Sequence, residues 1–377
     1  MLSFIIVIPV MFSSGCITQP SDVPSLNEPD PDAGQNDFDP LDQPDRLGTW
    51  SQTYPYYERE QDWQQIVFDS PFQLGEPKVM ERYETAYGVR ENYYQLGFGT
   101  YPNINGTSSA IALAIEFARQ HLGFDDRDAN FFVDFSKTEY AYLNLIVNGS
   151  GTDSYVFSES LYMDGRHPVD LIIVTEPSEK EMKLAESRGF SLIYEAVYYD
   201  AFVFFTYQHN PVDSLTLDQI RGIYSGRITN WKEVGGEDVA IAAFQREEST
   251  DSQVAMMNLV MGDTPMMAPE IITVSIGNGY LVDVATEYRD DKASIGYTYR
   301  SNVDILYKDK SIKMLKIDGF FPDEENLRTG SYPLTVVFYG VIQSNEENTV
   351  VGDYLNWMIS PEGQLCVRQA GYIPYYQ

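Results

Sequence analysis

Residues Val169–Gly189 read VDLIIVTEPSEKEMKLAESRG, and the fold class turns on how that stretch is read. Asp170–Val174 (DLIIV) is an unbroken apolar run between polar flanks, the pattern of a short buried strand. Ser178 then stands as a hydroxyl cap before a charged amphipathic segment that stops at Gly189, a residue free to take the left-handed region. A buried strand feeding a capped helix is the repeating unit of α/β proteins.

The same alternation continues on either side. Upstream, AIALAIEFARQHLGF (Ala110–Phe124) is apolar at helical spacing and should end near Gly123. Downstream, AFVFFT (Ala201–Thr206) reads as a second strand, and LTLDQIRGIYSG as a short helix begun by Thr216. Strands alternating with helices predict open, largely parallel sheets. No internal repeat is visible. Residues 49–94 are mixed and aromatic-rich, and their pattern assigns them no element.

Composition limits the function. The chain has 377 residues, 43% hydrophobic, with 28 Tyr and 20 Phe, enough to bury a large core. Its 25 basic against 56 acidic residues give a net charge of −31. Such a balance argues against nucleic acid, which is held by Lys and Arg. It leaves room for a small anion, which responds to local dipoles and a single arginine more than to the distant field.

The N-terminus reads as a processed segment. Leu2–Phe12 (LSFIIVIPVMF) is too short to span a bilayer and is followed by SSGC, Ser13–Cys16. An apolar run ending in small residues and a cysteine resembles the lipobox of bacterial lipoproteins, which implies that residues 1–16 are a signal peptide with lipobox and that Cys16 is acylated and becomes the mature first residue. The basic leading region of that pattern is missing, consistent with a true start upstream, and Ser13 stands where a larger aliphatic residue is usual. The other reading is a plain secretory signal with an incidental cysteine. The only other cysteine is Cys366, so lipidation of Cys16 leaves no disulfide partner. Residues 17–48, rich in Pro, Asp, Asn and Gln, read as a disordered acidic tether.

Two segments have the composition of anion-binding helix starts, where free backbone N–H groups and the positive end of the dipole meet an oxyanion. One is Gly106, Thr107, Ser108 and Ser109; the other is Ser249, Thr250, Asp251 and Ser252, preceded by Arg246, a charge-assisted donor. Each threonine has an ordinary alternative as a helix N-cap, and Arg246 as an ion-paired arginine beside Glu247 and Glu248.

NPVDSLTLDQIRGIYSGRITNWKEVGG (Asn210–Gly236) resembles the signature stretch of phosphate-binding proteins of the PstS type, receptors of phosphate ABC importers. YPNINGTSSAIALA, VDLIIVTEPSEKE, REESTDSQ, ASIGYTYR and SPEGQLCVRQAGYIPY resemble further family segments in family order, from about Tyr101 to the end. The resemblance implies a type II periplasmic-binding fold, two α/β lobes joined by two crossovers with a ligand cleft between them. The crossovers fall near Asp200–Thr206 and Gly296–Arg300, so residues 95–200 and 300–377 form the first lobe and 205–296 the second.

The resemblance also implies the ligand set Gly106, Thr107, Ser108, Ser136, Thr138, Thr175, Arg246, Thr250, Asp251 and Ser252. Thr175 aligns near the carboxylate that accepts the phosphate proton in some members, and Asn105 replaces a common aspartate. Asp251 occupies the glycine of the Ser-Gly-Ser/Thr loop. Three outcomes follow: Asp251 points outward, accepts the proton of a protonated phosphate oxygen, or marks a changed ligand.

Other chemistry finds no support. His121, His167 and His209 are scattered, no His/Cys set has metal spacing, and no nucleophile–base pair or P-loop stands out. Asp30, Asp32, Asp37 and Asp39 lack calcium-loop spacing. The expectation is a monomeric, cofactor-free, non-enzymatic, lipid-anchored receptor that passes phosphate or a related oxyanion to an ABC permease in the membrane. The alternative is a surface sensor or partner-binding module of the same fold with lost or altered phosphate binding.

Overall fold

Alternate residues of Leu171–Thr175 enter two different cores. Leu171 and Ile173 join Leu113 and Phe117 in one, while Ile172 and Val174 join Tyr142, Leu145 and Ala185 in the other. A strand buried on both faces has no polar side to show, which is why its sequence is a run rather than an alternation.

The structure is a computed structural model. It describes residues 66, 70, 75–78, 83–85, 88–90, 95–97, 101–123, 135, 137–148, 169–246, 250–268, 272–273, 293–307 and 311–377. All of these fall within the unit Gln52–Gln377. The expected signal segment with Cys16 and the tether lie outside the described residues, as do Ser136 and Ser249. Among the described residues no helix is long and apolar enough to cross a membrane.

The central sheet contains β1 (Ile104–Gly106), β2 (Leu171–Thr175), β3 (Leu192–Tyr207), β4 (Ala242–Ala243), β5 (Ser294–Tyr299) and β6 (Thr335–Gln343), in the spatial order β1-β2-β6-β3-β5-β4. It is mixed, not largely parallel as the strand–helix alternation predicts. Only β1–β2 and β5–β4 are parallel; β6 runs antiparallel to both β2 and β3, and β5 antiparallel to β3. The cause is β3, whose 16 residues are long enough to pair with different strands along its length. Its first part, Leu192–Ala201, pairs with β6, and Phe202–Thr206 pairs with β5. The AFVFFT run is thus the buried second part of a longer strand. Ile312–Met314 also pairs with this second part, and Lys316–Ile317 runs parallel to Ser214–Leu215.

The helices sit where their caps place them. α1 (Ile111–Leu122) ends on Gly123 at φ 69°. α2 (Thr138–Asn148) and α3 (Glu179–Ser187) cover the Ile172/Val174 face. α3 is opened by Ser178, whose backbone N–H donates to Glu181 at 2.6 Å in a reciprocal capping box. α4 (Leu217–Tyr224) is capped by Thr216, which accepts from Gln219 N–H at 3.1 Å. α5 (Asp251–Ala255) continues as π-helical turns over Met256–Met261.

Part of the aromatic-rich segment before residue 95 is tied to this frame. Gly75–Lys78 pairs antiparallel with Gln95–Gly97, and Tyr83–Thr85 with Gly88–Arg90. Ile66 N–H donates to Gln120 Oε1 at 3.0 Å, and Ser70 Oγ is 2.8 Å from His121 Nδ1. Both contacts fall on the last turn of α1. Burial pushes His121 down to about 3, so this imidazole is neutral and holds its neighbour by hydrogen bonding rather than charge.

Candidate functional site

The two polar helix starts meet at one carboxylate. Thr107 follows β1 and is 1% exposed. Its backbone N–H continues the parallel ladder to Ile173 O at 3.2 Å, which fixes its position. Its backbone has the extended conformation of a cap, yet its hydroxyl caps nothing. Instead Thr107 Oγ1 donates to Asp251 Oδ2 at 2.6 Å. The other oxygen, Asp251 Oδ1, accepts the backbone N–H of Thr138 at 3.0 Å, at the first residue of α2. One carboxylate therefore takes a hydroxyl donor and an amide donor from two separate segments, one oxygen each. Charge-assisted bonds of this kind contribute roughly 1.5–3 kcal/mol each.

Asp251 reaches them because Thr250 starts α5 immediately before it. Thr250 is 8% exposed, and its hydroxyl accepts from Gln253 N–H at 3.3 Å, the ordinary capping bond. The two threonines, alike in sequence, thus do different work: Thr250 caps a helix and Thr107 holds an anion. Of the three outcomes open for Asp251, the outward-pointing one is not what the structure contains. The charge of Asp251 also reaches Tyr299, whose hydroxyl is raised chiefly by burial, then by Asp251 and Asp200.

The remaining residues separate into neighbours and framework. Ser252, next to Asp251, is fully buried, and its Oγ has no hydrogen-bond partner among the described residues; the same holds for Ser109 Oγ beside Thr107 and Ser108. Arg246 is 4% exposed on the short strand Gln245–Arg246, parallel to Ile272–Thr273. Its backbone N–H is shared between Gln253 Oε1 at 3.2 Å and Tyr297 OH at 3.3 Å, and Tyr297 in turn donates to Gln253 Oε1. Burial raises the Tyr297 hydroxyl, and the Arg246 charge works against that rise.

Gly106 is framework. A Cβ there would lie 2.3 Å from Ile173 O and 2.8 Å from the Phe135 ring, so glycine is required by the close approach of β1 to β2. Thr175 closes β2, and its carbonyl accepts Tyr142 OH at 2.7 Å. Thr138 contributes its backbone N–H. Gln253 and Tyr297 were not expected in the site, although both lie inside segments the resemblance singled out, REESTDSQ and ASIGYTYR. Among the described residues no group of His, Cys, Asp and Glu could hold a metal ion.

Residues 100–362 match the family model described as PBP superfamily domain. The phosphate-binding protein PstS of Borreliella burgdorferi is 24% identical over 181 residues, 46% of this chain and 63% of that protein. The phosphate-binding protein PstS of Bacillus subtilis is 28% identical over 165 residues, 43% of this chain and 51% of that protein. The matched segments therefore span less than two thirds of either relative. An ABC-type phosphate transport receptor from Vibrio cholerae superposes with a TM-score of 0.51 at 21% identity, over 72% of this chain and 98% of that one. The likeness is one of fold, the type II periplasmic-binding arrangement.

Proposed function

Since the chain belongs to the PBP superfamily domain family, we propose that it is an extracytoplasmic receptor of the PstS type that captures phosphate for an ABC importer. The observation that supports this most directly is the convergence of Thr107 Oγ1 and the Thr138 N–H on one anionic centre. Donors from separate segments, fixed by a strand end and a helix start, are pre-organised for an oxyanion. Phosphate offers those donors tetrahedral oxygens in place of a carboxylate. The buried Ser252 hydroxyl, next to Asp251, and buried Arg246 supply further donors in this reading, with Ser108, next to Thr107 in sequence, and Ser136, two residues before Thr138 in sequence.

In this reading Gly106, Thr175 and Thr250 shape the site from the backbone. Residues 95–200 and 300–377 make one lobe and 205–296 the other, with Ile312–Ile317 reaching across to the second. Closure of the lobes signals loading to the permease. Lipidation of Cys16 anchors the receptor, and residues 17–48 serve as its tether. A net charge of −31 gives phosphate no attractive far field, so in this reading recognition rests on local donors.

The test is a thermal-shift screen of phosphate, sulfate and molybdate. Phosphate at about one hundred times its Kd adds about 2.7 kcal/mol to a receptor whose unfolded chain does not bind it. A clear rise in Tm with phosphate is the expected result, and no rise at any phosphate concentration would overturn the reading.

A further inference from the structure

We propose that Asp251 is a tethered anion that occupies the phosphate position itself, so that the resting receptor is self-liganded and phosphate binds by displacing this carboxylate. The inference rests on the phosphate reading of the cleft and concerns how that cleft is regulated.

The geometry is that of a ligand rather than of a neighbour. Both Asp251 oxygens are engaged, one by the Thr107 hydroxyl at 2.6 Å and one by the Thr138 amide at 3.0 Å. These donors belong to the part of the molecule built on β1, β2 and β6. Asp251 belongs to the other part: it follows Gln245–Arg246, and the Arg246 amide is bonded to Tyr297 of β5. A bond between the two parts across the cleft is what a bound oxyanion would supply, and here a side chain supplies it. Thr107 has no local use for its hydroxyl, since no capping bond is made with it. The framework meanwhile leaves Asp251 free to serve in this way, because Thr250 already caps α5.

Three consequences follow. The phosphate-free chain is held in a closed form by one side chain. The two donors cannot serve Asp251 and phosphate together. Apparent affinity for phosphate is therefore reduced by the fraction of molecules in which the carboxylate is disengaged; a clasp closed in about 90–99% of molecules weakens binding about 10- to 100-fold. Such a receptor responds only when phosphate is abundant enough to win the competition.

The experiment has two readouts on the full chain. The first needs no phosphate. Spin labels at exposed positions on either side of the cleft, Glu186→Cys and Asn258→Cys in a Cys16→Ser background, report the distance between the halves; Cys366 is buried and takes no label. Asp251→Ala is expected to lengthen and broaden the phosphate-free distance. Thr107→Val, which keeps the shape and removes the donor, is expected to do the same, with no further opening in the double variant. An unchanged distance in both single variants overturns the clasp. Circular dichroism confirms that each variant is folded.

The second readout is calorimetry with inorganic phosphate. Asp251→Ala is expected to bind about 10-fold tighter or better. Equal or weaker binding overturns the competition and makes Asp251 a partner of the bound ion. If neither protein binds phosphate, the phosphate reading falls while the label distance still decides the clasp.

Discussion

Asp200 and Ser301 tie the two crossing segments together. The carboxylate of Asp200, on β3, accepts Ser301 Oγ–H at 2.6 Å and Ser301 N–H at 3.1 Å, the latter just beyond the end of β5, and also accepts Ala201 N–H at 2.7 Å. The two strands lie side by side in antiparallel register from Phe202 opposite Tyr299 onward. One buried acid therefore ties the middle of β3 to the residue just beyond the end of β5.

That acid should make stability pH-dependent in an unusual direction. Burial pushes Asp200 up from 3.8 to about 6, against the opposing pull of the Ser301 hydroxyl, the Ala201 amide and Arg300. A carboxyl with a raised folded pKa binds its proton more tightly in the native state. Its contribution is fully present below pH 3.8 and is lost as pH rises through 6. The full swing is on the order of 3 kcal/mol. Asp200→Asn keeps an acceptor for the two amides and lacks the titration. The gap in Tm between wild type and Asp200→Asn, followed from pH 4 to about pH 7, should shift toward the variant as pH rises. A gap that does not change with pH would show that Asp200 stays ionised throughout.

Gly106 separates a packing role from a binding role. A methyl group there would meet Ile173 O at 2.3 Å and the Phe135 ring at 2.8 Å, inside the β1–β2 ladder. Gly106→Ala should cost about 2–3 kcal/mol in denaturant unfolding, as overpacking of a rigid site does. Were the glycine needed only for the approach of an anion, stability would be unchanged and phosphate binding alone would fall.

Thr250 gives a third expectation. Its hydroxyl caps Gln253 N–H at 3.3 Å, so Thr250→Ala should cost about 1 kcal/mol and Thr250→Ser should restore it. Phosphate affinity should move by no more than a few-fold if the hydroxyl acts only as a cap. A large loss of binding in Thr250→Ala, restored by serine, would place that hydroxyl on the ligand.

These cases show what could be read from the chain. The DLIIV run, the Ser178 and Thr216 caps and the Gly123 stop are local signals, and each is written in residues that touch one another. The sheet's mixed direction was not legible, because it depends on β3 continuing through 16 residues and on which strands return along it. The same limit applies to the site. Thr107 and Thr250 carry the same local signature, and only the 2.6 Å contact between Thr107 and Asp251, 144 positions apart, tells the donor to a carboxylate from the cap. Sequence located the helix starts but not which donor faced which charge.

The backbone of buried Arg246 is positioned by Tyr297 and Gln253. Gln253 Oε1 accepts both the Arg246 amide at 3.2 Å and the Tyr297 hydroxyl, while its own amide N–H reaches the Thr250 cap. Tyr297→Phe removes one buried hydrogen bond and leaves the Arg246 amide on Gln253, so it should cost about 1 kcal/mol. Gln253→Leu leaves the buried Tyr297 hydroxyl without its acceptor and the Arg246 amide on Tyr297 OH alone, and should cost about 1–3 kcal/mol. Because the two residues act through one oxygen, the double variant should cost less than the sum of the singles. Denaturant unfolding of the four proteins measures this coupling. Strict additivity would show that Tyr297 and Gln253 hold the Arg246 strand independently, and phosphate calorimetry on the same set should then find affinity falling with each loss separately.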